Sequence, residues 1–252
     1  MKRRVVSGMV AIVAAFSLFA PVAVAESRAE SAAARHGVPV QGIVTDSGIE
    51  AWLVSDSTVP MIVLRAYWRG GSAIEPERMA GVTSVMADML TEGAGDLDAN
   101  AYKERLEDLN MSLGFAAGWD GIGMSLTTLS ANREPAFAMA RTALAEARFE
   151  AGPLERIKRQ MLVSIRSRET NPSFIANRAL DQALYPGHVY ARRTSRESVE
   201  AITPAALSER RALLLTRDRL EITLVGDIDA DNARRLIDAT FASLPAGATL
   251  PE

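Results

Sequence analysis

The spacing of apolar residues changes from strand-like to helix-like within the first hundred residues, which limits the chain to folds that mix both structures. Residues 48–53 and 61–68 are short apolar runs bounded by polar or turn residues, and they predict two strands. Only a short polar segment separates them, so we expect them to pair as a hairpin. Residues 82–90 then carry apolar side chains at helical spacing, and Gly93 and Gly95 end this predicted helix.

The remainder of the chain continues the mixture of helices and strands. Residues 98–109 predict a second helix, and residues 111–117 and 121–129 predict two antiparallel strands joined by a turn. Further helices are predicted over residues 134–148, 154–169, 173–184, 204–215 and 231–244, with a buried strand at 220–225. This order predicts an α+β fold in which a mostly antiparallel sheet packs against several helices.

The N-terminus has the three parts of a secretory signal peptide. Three basic residues precede an apolar run, and Ala23-Val24-Ala25 matches an A-x-A cleavage site. A membrane anchor is the alternative, because the apolar run is almost long enough to span a bilayer. The cleavage site favours a signal peptide over residues 1–25, secretion across the inner membrane to the periplasm, and a mature chain that begins at Glu26.

The composition excludes several classes of protein and site. Loss of the predicted signal peptide leaves 25 basic residues against 31 acidic ones, a net charge of −6, which argues against a nucleic-acid-binding protein. The chain has no cysteine, so burial of apolar side chains, without disulfides or thiolate metal sites, must hold the fold. No repeat or linker divides the interior of the mature chain, which predicts one domain.

The helix at residues 82–90 has a polar side as well as an apolar one. On a helical wheel Ser84, Ala87, Asp88 and Thr91 share one face, opposite the apolar stripe. From periodicity alone, a solvated polar face on an amphipathic helix is the preferred interpretation.

Short motifs in a fixed order surround this helix and continue to the end of the chain. They are Trp68-x-Gly70-Gly71-Ser72-x-x-Glu75, Gly81-Val82, Met89-Leu90-x-x-Gly93, residues 106–114, Asp120-Gly121, Leu154-Glu155-Arg156-x-Lys158, residues 185–190, residues 225–229 and Phe241-x-x-Leu244-Pro245. Together they resemble the pitrilysin/insulinase metallopeptidase family, which includes the mitochondrial processing peptidase. The resemblance implies one half of a two-domain, processing-peptidase-like subunit.

The resemblance also implies a division of the chain. An N-terminal extension is expected at residues 26–36 and the pitrilysin/insulinase-like N-terminal domain at residues 37–246. Residues 247–252 are expected to begin the linker, with the second homologous domain absent from this polypeptide.

The residues that bind zinc in active members of this family are missing from the matching positions. Active members carry H-x-x-E-H, in which two His bind zinc and the Glu is the general base. The resemblance places Ser84 and Asp88 at the His positions and Ala87 at the Glu position. The third ligand, a Glu on a later helix, corresponds to Ser164, and Ile157 stands where active members often hold a supporting Glu. A catalytic zinc needs three protein ligands, so we predict no metal, cofactor or catalytic residue in this chain.

Other sites are conceivable but weakly indicated. His36, His188 and Asp88 are the remaining combination for a metal, and a Ser-His-Asp triad would need one of the same two His without a G-x-S-x-G elbow. The acidic clusters beginning at Asp96 and Asp227 resemble parts of calcium loops, although helix capping explains them better. The cluster of Arg192, Arg193 and Arg196 is either an anion site or a solvated loop.

These observations predict an exported, catalytically inactive member of the pitrilysin/insulinase family. Its expected partner is a zinc-bearing H-x-x-E-H subunit of the same family, with which it binds and encloses peptide substrates for proteolysis. Zinc is then expected only in that catalytic partner. The alternatives are a non-proteolytic peptide-binding or complex-assembly module, and a hydrolase with an unrecognised site.

Overall fold

The computed structural model describes residues 38–250, so the predicted signal peptide and the whole predicted N-terminal extension lie outside the described residues. Within this range, no helix combines the length and apolar character needed to cross a membrane. The predicted domain and linker bounds at residues 37–246 and 247–252 stay predictions.

Six strands form one mixed sheet. They are β1 (Gln41–Val44), β2 (Glu50–Ser55), β3 (Met61–Arg69), β4 (Ser112–Ala117), β5 (Gly121–Leu129) and β6 (Leu220–Gly226). Their order in the sheet is β1-β2-β6-β3-β5-β4. Only β2 and β6 run parallel, and every other neighbouring pair is antiparallel. The prediction of a mostly antiparallel sheet is therefore confirmed, as is the hairpin of β4 and β5.

The predicted hairpin between the first two apolar runs is wrong. Strand β6, from the far end of the chain, lies between β2 and β3 and pairs with both. The register shows the physical reason: Leu53, Leu224, Leu64 and Leu126 pair across four adjacent strands as one row of fully buried side chains. Each buried leucine contributes about 1.5–3 kcal/mol, so the sheet that completes this row is preferred over a local hairpin.

Eight α-helices accompany the sheet in the described range. They are α1 (Val82–Met89), α2 (Ala99–Asp108), α3 (Arg133–Glu146), α4 (Ala151–Glu169), α5 (Pro172–Leu184), α6 (Arg196–Glu200), α7 (Pro204–Leu214) and α8 (Ala230–Phe241). The long predicted helices all form, with ends that differ by at most three residues from the predicted ones. The α+β class is therefore confirmed.

The buried face of the sheet carries the core, and the opposite face is open in the described range. On the buried face, Trp68 contacts Phe241 of α8, with ring centroids 6.1 Å apart. On the open face Trp52 and Tyr67 are 61% and 40% exposed. Strand β4 forms one edge of the sheet, and α1 packs against it.

Candidate functional site

Helix α1 carries the positions where active family members would bind zinc. It begins after Gly81, which adopts the left-handed backbone conformation with φ of 100°. Val82, Val85, Met86 and Met89 are fully buried and hold the helix on the core. Ala87 is also buried, Ser84 is half-buried and only Asp88 is exposed. A fully solvated polar face is therefore wrong, because α4, α7 and β4 pack around the helix on more than one side.

A buried carboxylate holds the N-terminus of α1. Glu75 accepts hydrogen bonds from the backbone N–H groups of Gly81 and Thr83, each at 2.7 Å. Backbone N–H groups of the first helical turn have no partner within the helix, and a negative charge is stabilised there. Glu75 thus acts as a cap that fixes where α1 begins, although it lies outside the helix in the sequence.

A buried arginine from α7 completes this cap. Arg210 donates hydrogen bonds to the Thr83 hydroxyl at 2.9 Å, the Gly71 carbonyl at 2.7 Å and the Ile74 carbonyl at 3.2 Å. Burial lowers the pKa of Arg210 below its ordinary value, while the nearby Glu75 carboxylate opposes this shift. The arginine therefore ties the motif before α1 to a helix near the end of the chain.

The position of the third family ligand lies on a helix that contacts α1. Ser164 is half-buried on α4, and Ile157 is buried two turns earlier on the same helix. The buried Glu92, which follows α1, forms salt bridges with Lys103 of α2 at 3.1 Å and with Arg156 of α4. The helices that carry the ligands in active members are thus held together here by packing and by the ion pair of Glu92 with Arg156.

The side chains at these positions do not fit a zinc ion. A serine hydroxyl is a poor neutral ligand, alanine has none, and Asp88 supplies one carboxylate where three strong ligands are needed. Partial loss of hydration among the packed helices raises the pKa of Asp88, and repulsion from Glu92 raises it further. Among residues 38–250, no group of three His, Asp or Glu side chains is arranged to hold a metal ion.

The other predicted candidates have structural roles. The Nδ1 atom of His188 accepts a hydrogen bond from the backbone of Tyr190, whereas His36 lies outside the described residues. Asp98 accepts from two backbone N–H groups at the start of α2. Asp229 does the same for one N–H group of α8. The capping interpretation of both acidic clusters is therefore confirmed.

The arginine cluster after α5 is neither an open anion site nor a fully solvated loop. Arg192 donates to the Glu75 carbonyl at 2.6 Å, and Arg193 pairs with Asp181. Arg196 lies 3.5 Å from Glu200 on its own helix. Their guanidinium groups contact other residues of the chain. These partners were not predictable from the sequence.

One group of residues was not recognised from the sequence as a unit. Trp119, Tyr185, His188 and Tyr190 form a surface cluster of rings, with Asp120 hydrogen-bonded to Tyr190. Residues 120 and 185–190 belong to motifs that carry the family resemblance, but 70 residues separate Tyr190 from Asp120 in the chain. Only the folded chain brings them together.

Comparison with known proteins finds relatives of this chain in sequence and in fold. The crystal structure of the peptidase M16 inactive domain from Pseudomonas fluorescens matches 85% of this chain with 32% identity and a TM-score of 0.78. The chain is thus similar to an inactive domain of a peptidase M16 protein, which agrees with the pitrilysin/insulinase resemblance. A non-peptidase homologue from Helicobacter pylori, YmxG, is 24% identical to it over 196 residues, 77% of this chain. The periplasmic protease PqqL from Escherichia coli, at 17% identity and a TM-score of 0.73, shares the fold. No family model matches the chain.

The chain corresponds in length to part of these relatives. It covers 53% of the P. fluorescens chain and 45% of YmxG, so it spans about half the length of each. The P. fluorescens domain is described as inactive and YmxG as a non-peptidase. The chain is thus related to a metallopeptidase family and to its inactive members, as the substitutions at positions 84, 87, 88 and 164 predict.

Proposed function

We propose that this chain is the exported, non-catalytic subunit of a two-component peptidase, in which a partner with H-x-x-E-H supplies zinc and the general base. The observation that carries the proposal is the state of α1. Its buried face and its Glu75 cap are intact, while Ser84, Ala87 and Asp88 stand at the positions of ligands and base. A helix that keeps its packing and its cap but lacks the zinc ligands and the base is expected in a non-catalytic subunit. Such a subunit contributes binding surface, while its partner catalyses the reaction.

The surface for peptide binding in this proposal is the free edge of β4. In the described range β4 pairs with β5 alone, so its outer backbone groups face away from the sheet. An extended peptide is able to add to such an edge as a further strand through main-chain hydrogen bonds. Because α1 packs against β4, a peptide bound there would lie beside the helix that carries zinc in active members.

The surface for the partner subunit in this proposal is α5 with the adjoining part of α4. None of the 13 residues of α5 is buried, and isolated helices of about this length are marginal in water. Ile175, Leu180, Leu184 and Val163 are each more than half exposed. Contact with a second family subunit would bury these aliphatic side chains and stabilise α5, which is the feature expected of an obligate interface.

Export to the periplasm is part of the same proposal. The three-part N-terminal segment supports it, and PqqL, whose fold this chain shares, is described as a periplasmic protease. N-terminal sequencing of the protein from a periplasmic extract tests the cleavage before Glu26.

The proposed function is tested by reconstitution with an H-x-x-E-H subunit of the same family from the same organism, sought first among the neighbouring genes. We expect the purified chain to contain no stoichiometric zinc and to cleave no peptide alone, because its ligand positions lack donors. Addition of the chain is expected to raise cleavage of a fluorogenic peptide library by the partner. Stoichiometric zinc together with cleavage by the chain alone would overturn the proposal. Co-purification without any gain in cleavage would instead support the non-proteolytic assembly module.

The partner surface is tested by charge substitution on α5. Leu180→Glu and Leu184→Glu are each expected to weaken association with the H-x-x-E-H subunit about tenfold or more, because the interface would bury an unpaired carboxylate. The thermal midpoint of each isolated variant should stay within about 2 °C of the wild-type value, since both side chains are exposed. Affinity is measured by isothermal titration calorimetry.

The matched control for this surface is Val59→Glu. Val59 is an equally exposed aliphatic residue in the loop before β3, and its substitution is expected to leave the affinity unchanged. An equal loss of affinity in all three variants, or no loss in the α5 variants, would contradict the assignment of α5 to the interface.

A further inference from the structure

A surface cluster of four rings lies beside the turn between β4 and β5. Tyr190 is its centre: its ring centroid lies 5.5 Å from Trp119, 5.7 Å from Tyr185 and 4.7 Å from His188. Trp119 and Tyr185 are 39% and 42% exposed. Because these aromatic side chains are partly exposed to solvent, a ligand is able to contact their rings. The aromatic cluster is therefore a candidate binding surface.

The carboxylate of Asp120 is hydrogen-bonded to the aromatic cluster and forms no salt bridge in the described range. The Tyr190 hydroxyl donates to Asp120 Oδ1 at 2.8 Å, and no salt bridge involves Asp120 between residues 38 and 250. The neighbouring Arg193 is occupied by Asp181 and by backbone carbonyls. The second oxygen of Asp120 therefore remains available, next to Tyr190, whose ring lies against that of Trp119.

The turn that carries Trp119 and Asp120 is fixed by backbone hydrogen bonds to the segment before α1. Gly70 N–H donates to the Asp120 carbonyl at 2.7 Å, Ser72 N–H to Gly118 at 2.9 Å and Ala73 N–H to Trp119 at 2.9 Å. This close approach requires Gly71, because a Cβ there would lie 2.3 Å from the Gly118 carbonyl oxygen. The aromatic cluster and its carboxylate are thus held in place before any ligand arrives, which lowers the cost of binding.

The turn directly follows the edge strand, since β4 ends at Ala117. A peptide that pairs with the edge of β4 would therefore place one of its side chains beside the aromatic cluster. An exposed aromatic face attracts a cation, and a carboxylate adds a charge-assisted hydrogen bond. An arginine satisfies both, because its planar guanidinium stacks on a ring and donates to a carboxylate at the same time.

We propose that Trp119, Tyr190 and Asp120 form a subsite for a cationic side chain, arginine before lysine, of an extended peptide bound along β4. This inference rests on the proposed binding of peptides at the β4 edge. The subsite would make the β4 edge prefer peptides that carry a basic residue at the position beside the turn of residues 118–120.

The test uses the mature full-length chain and a fluorescent peptide of strand-forming residues with a single arginine. The reference peptide replaces the arginine by citrulline, which keeps the shape and removes the charge. Fluorescence anisotropy is expected to give an affinity about tenfold higher for the arginine peptide. In the Asp120→Asn variant this preference should fall to about threefold or less, while the citrulline peptide binds as before.

The variant and its control separate the subsite from a merely structural role. Asp120→Asn keeps an oxygen to accept from Tyr190, so the cluster stays assembled. Asp96→Asn removes one charge from an exposed position near the start of α2 and is expected to keep the tenfold preference. Trp119→Leu should reduce the affinity for the arginine peptide without altering that for the citrulline peptide.

Each failure has a distinct meaning. Equal affinity of the two peptides for the wild-type chain, or an unchanged preference in Asp120→Asn, would overturn the subsite while leaving peptide binding at β4 in place. No binding of either peptide would overturn both the subsite and the proposed peptide-binding edge. Binding that survives N-methylation of the peptide backbone would show that the peptide does not pair with β4 and would likewise overturn the inference.

Discussion

Replacement of Arg210 by methionine is expected to lower the free energy of unfolding by about 3–5 kcal/mol, the range for removal of one partner from a buried charged network. The guanidinium group donates to Thr83, Gly71 and Ile74. Methionine fills much of the same volume but donates no hydrogen bond, so these oxygens lose their partner. The Glu75 carboxylate also loses its nearby positive charge.

Urea unfolding followed by circular dichroism measures this effect, with the thermal midpoint expected to fall by about 10 °C in a domain of this size. Arg234→Met is the matched control, because Arg234 forms an exposed ion pair with Asp231 within one helix. Such pairs contribute about 0–1 kcal/mol, so the control should remain close to wild type. A loss below about 1 kcal/mol for Arg210→Met would contradict a supporting role for Arg210.

A double-mutant cycle with Glu75→Gln shows whether the two residues act together. Glu75 accepts from the first N–H groups of α1, and burial of Arg210 is offset by the charge of Glu75. A coupling energy of about 0.5–3 kcal/mol is expected for residues in one network. Faster hydrogen exchange at Gly81 and Thr83 in each single variant would locate the loss at the start of α1, whereas additive effects would separate the cap from the arginine.

The second large effect is expected for Gly226→Ala. Gly226 has φ of 136°, in the region that L-residues rarely adopt, and a Cβ there would lie 2.1 Å from the Met61 carbonyl oxygen. Strained backbone costs about 1–3 kcal/mol, and overpacking costs about as much again. A combined loss of about 3–4 kcal/mol is expected, because the clash involves the backbone of β3 and no flexible side chain is present to move aside.

Gly123→Ala is the control for this substitution. Gly123 lies in β5, two strands away, and nothing lies within 4 Å of the position of its Cβ. Alanine is expected to leave stability unchanged or to raise it by up to about 1 kcal/mol, since it restricts the unfolded chain. Thermal unfolding of both variants checks the pair; a similar midpoint for the two would mean that strand β6 tolerates a side chain at its end.

The order of the secondary structure elements was predictable because each depends on a few neighbouring residues. The apolar spacing around Val82 and Met89 predicted α1, and the Trp119-Asp120-Gly121 break predicted the turn between β4 and β5. The two acidic clusters were correctly interpreted as helix caps, since capping is a local hydrogen bond. The family motifs placed the positions 84, 87, 88 and 164, and the structure places them on two helices that contact each other.

The arrangement of those elements was not predictable from the same patterns. The short segment between β2 and β3 favoured a hairpin, but β6 lies between them because its leucine completes a buried row. The role of Glu75 as the cap of α1 was also missed, since its partner N–H groups are separated from it by a bend of the chain. Likewise, the burial of Ala87 depends on the helices and strand that surround α1.

The sequence alone therefore determined the element order, the α+β class, the family resemblance and the absence of zinc ligands at positions 84, 87, 88 and 164. The tertiary structure decided the strand order, the Arg210 contact with a helix 127 residues away and the meeting of Tyr190 with Asp120. The physical reason is the range of the interactions. Periodicity and capping act within one or two turns, whereas a buried row of side chains, a buried charge or an aromatic cluster is satisfied only by residues that folding brings together.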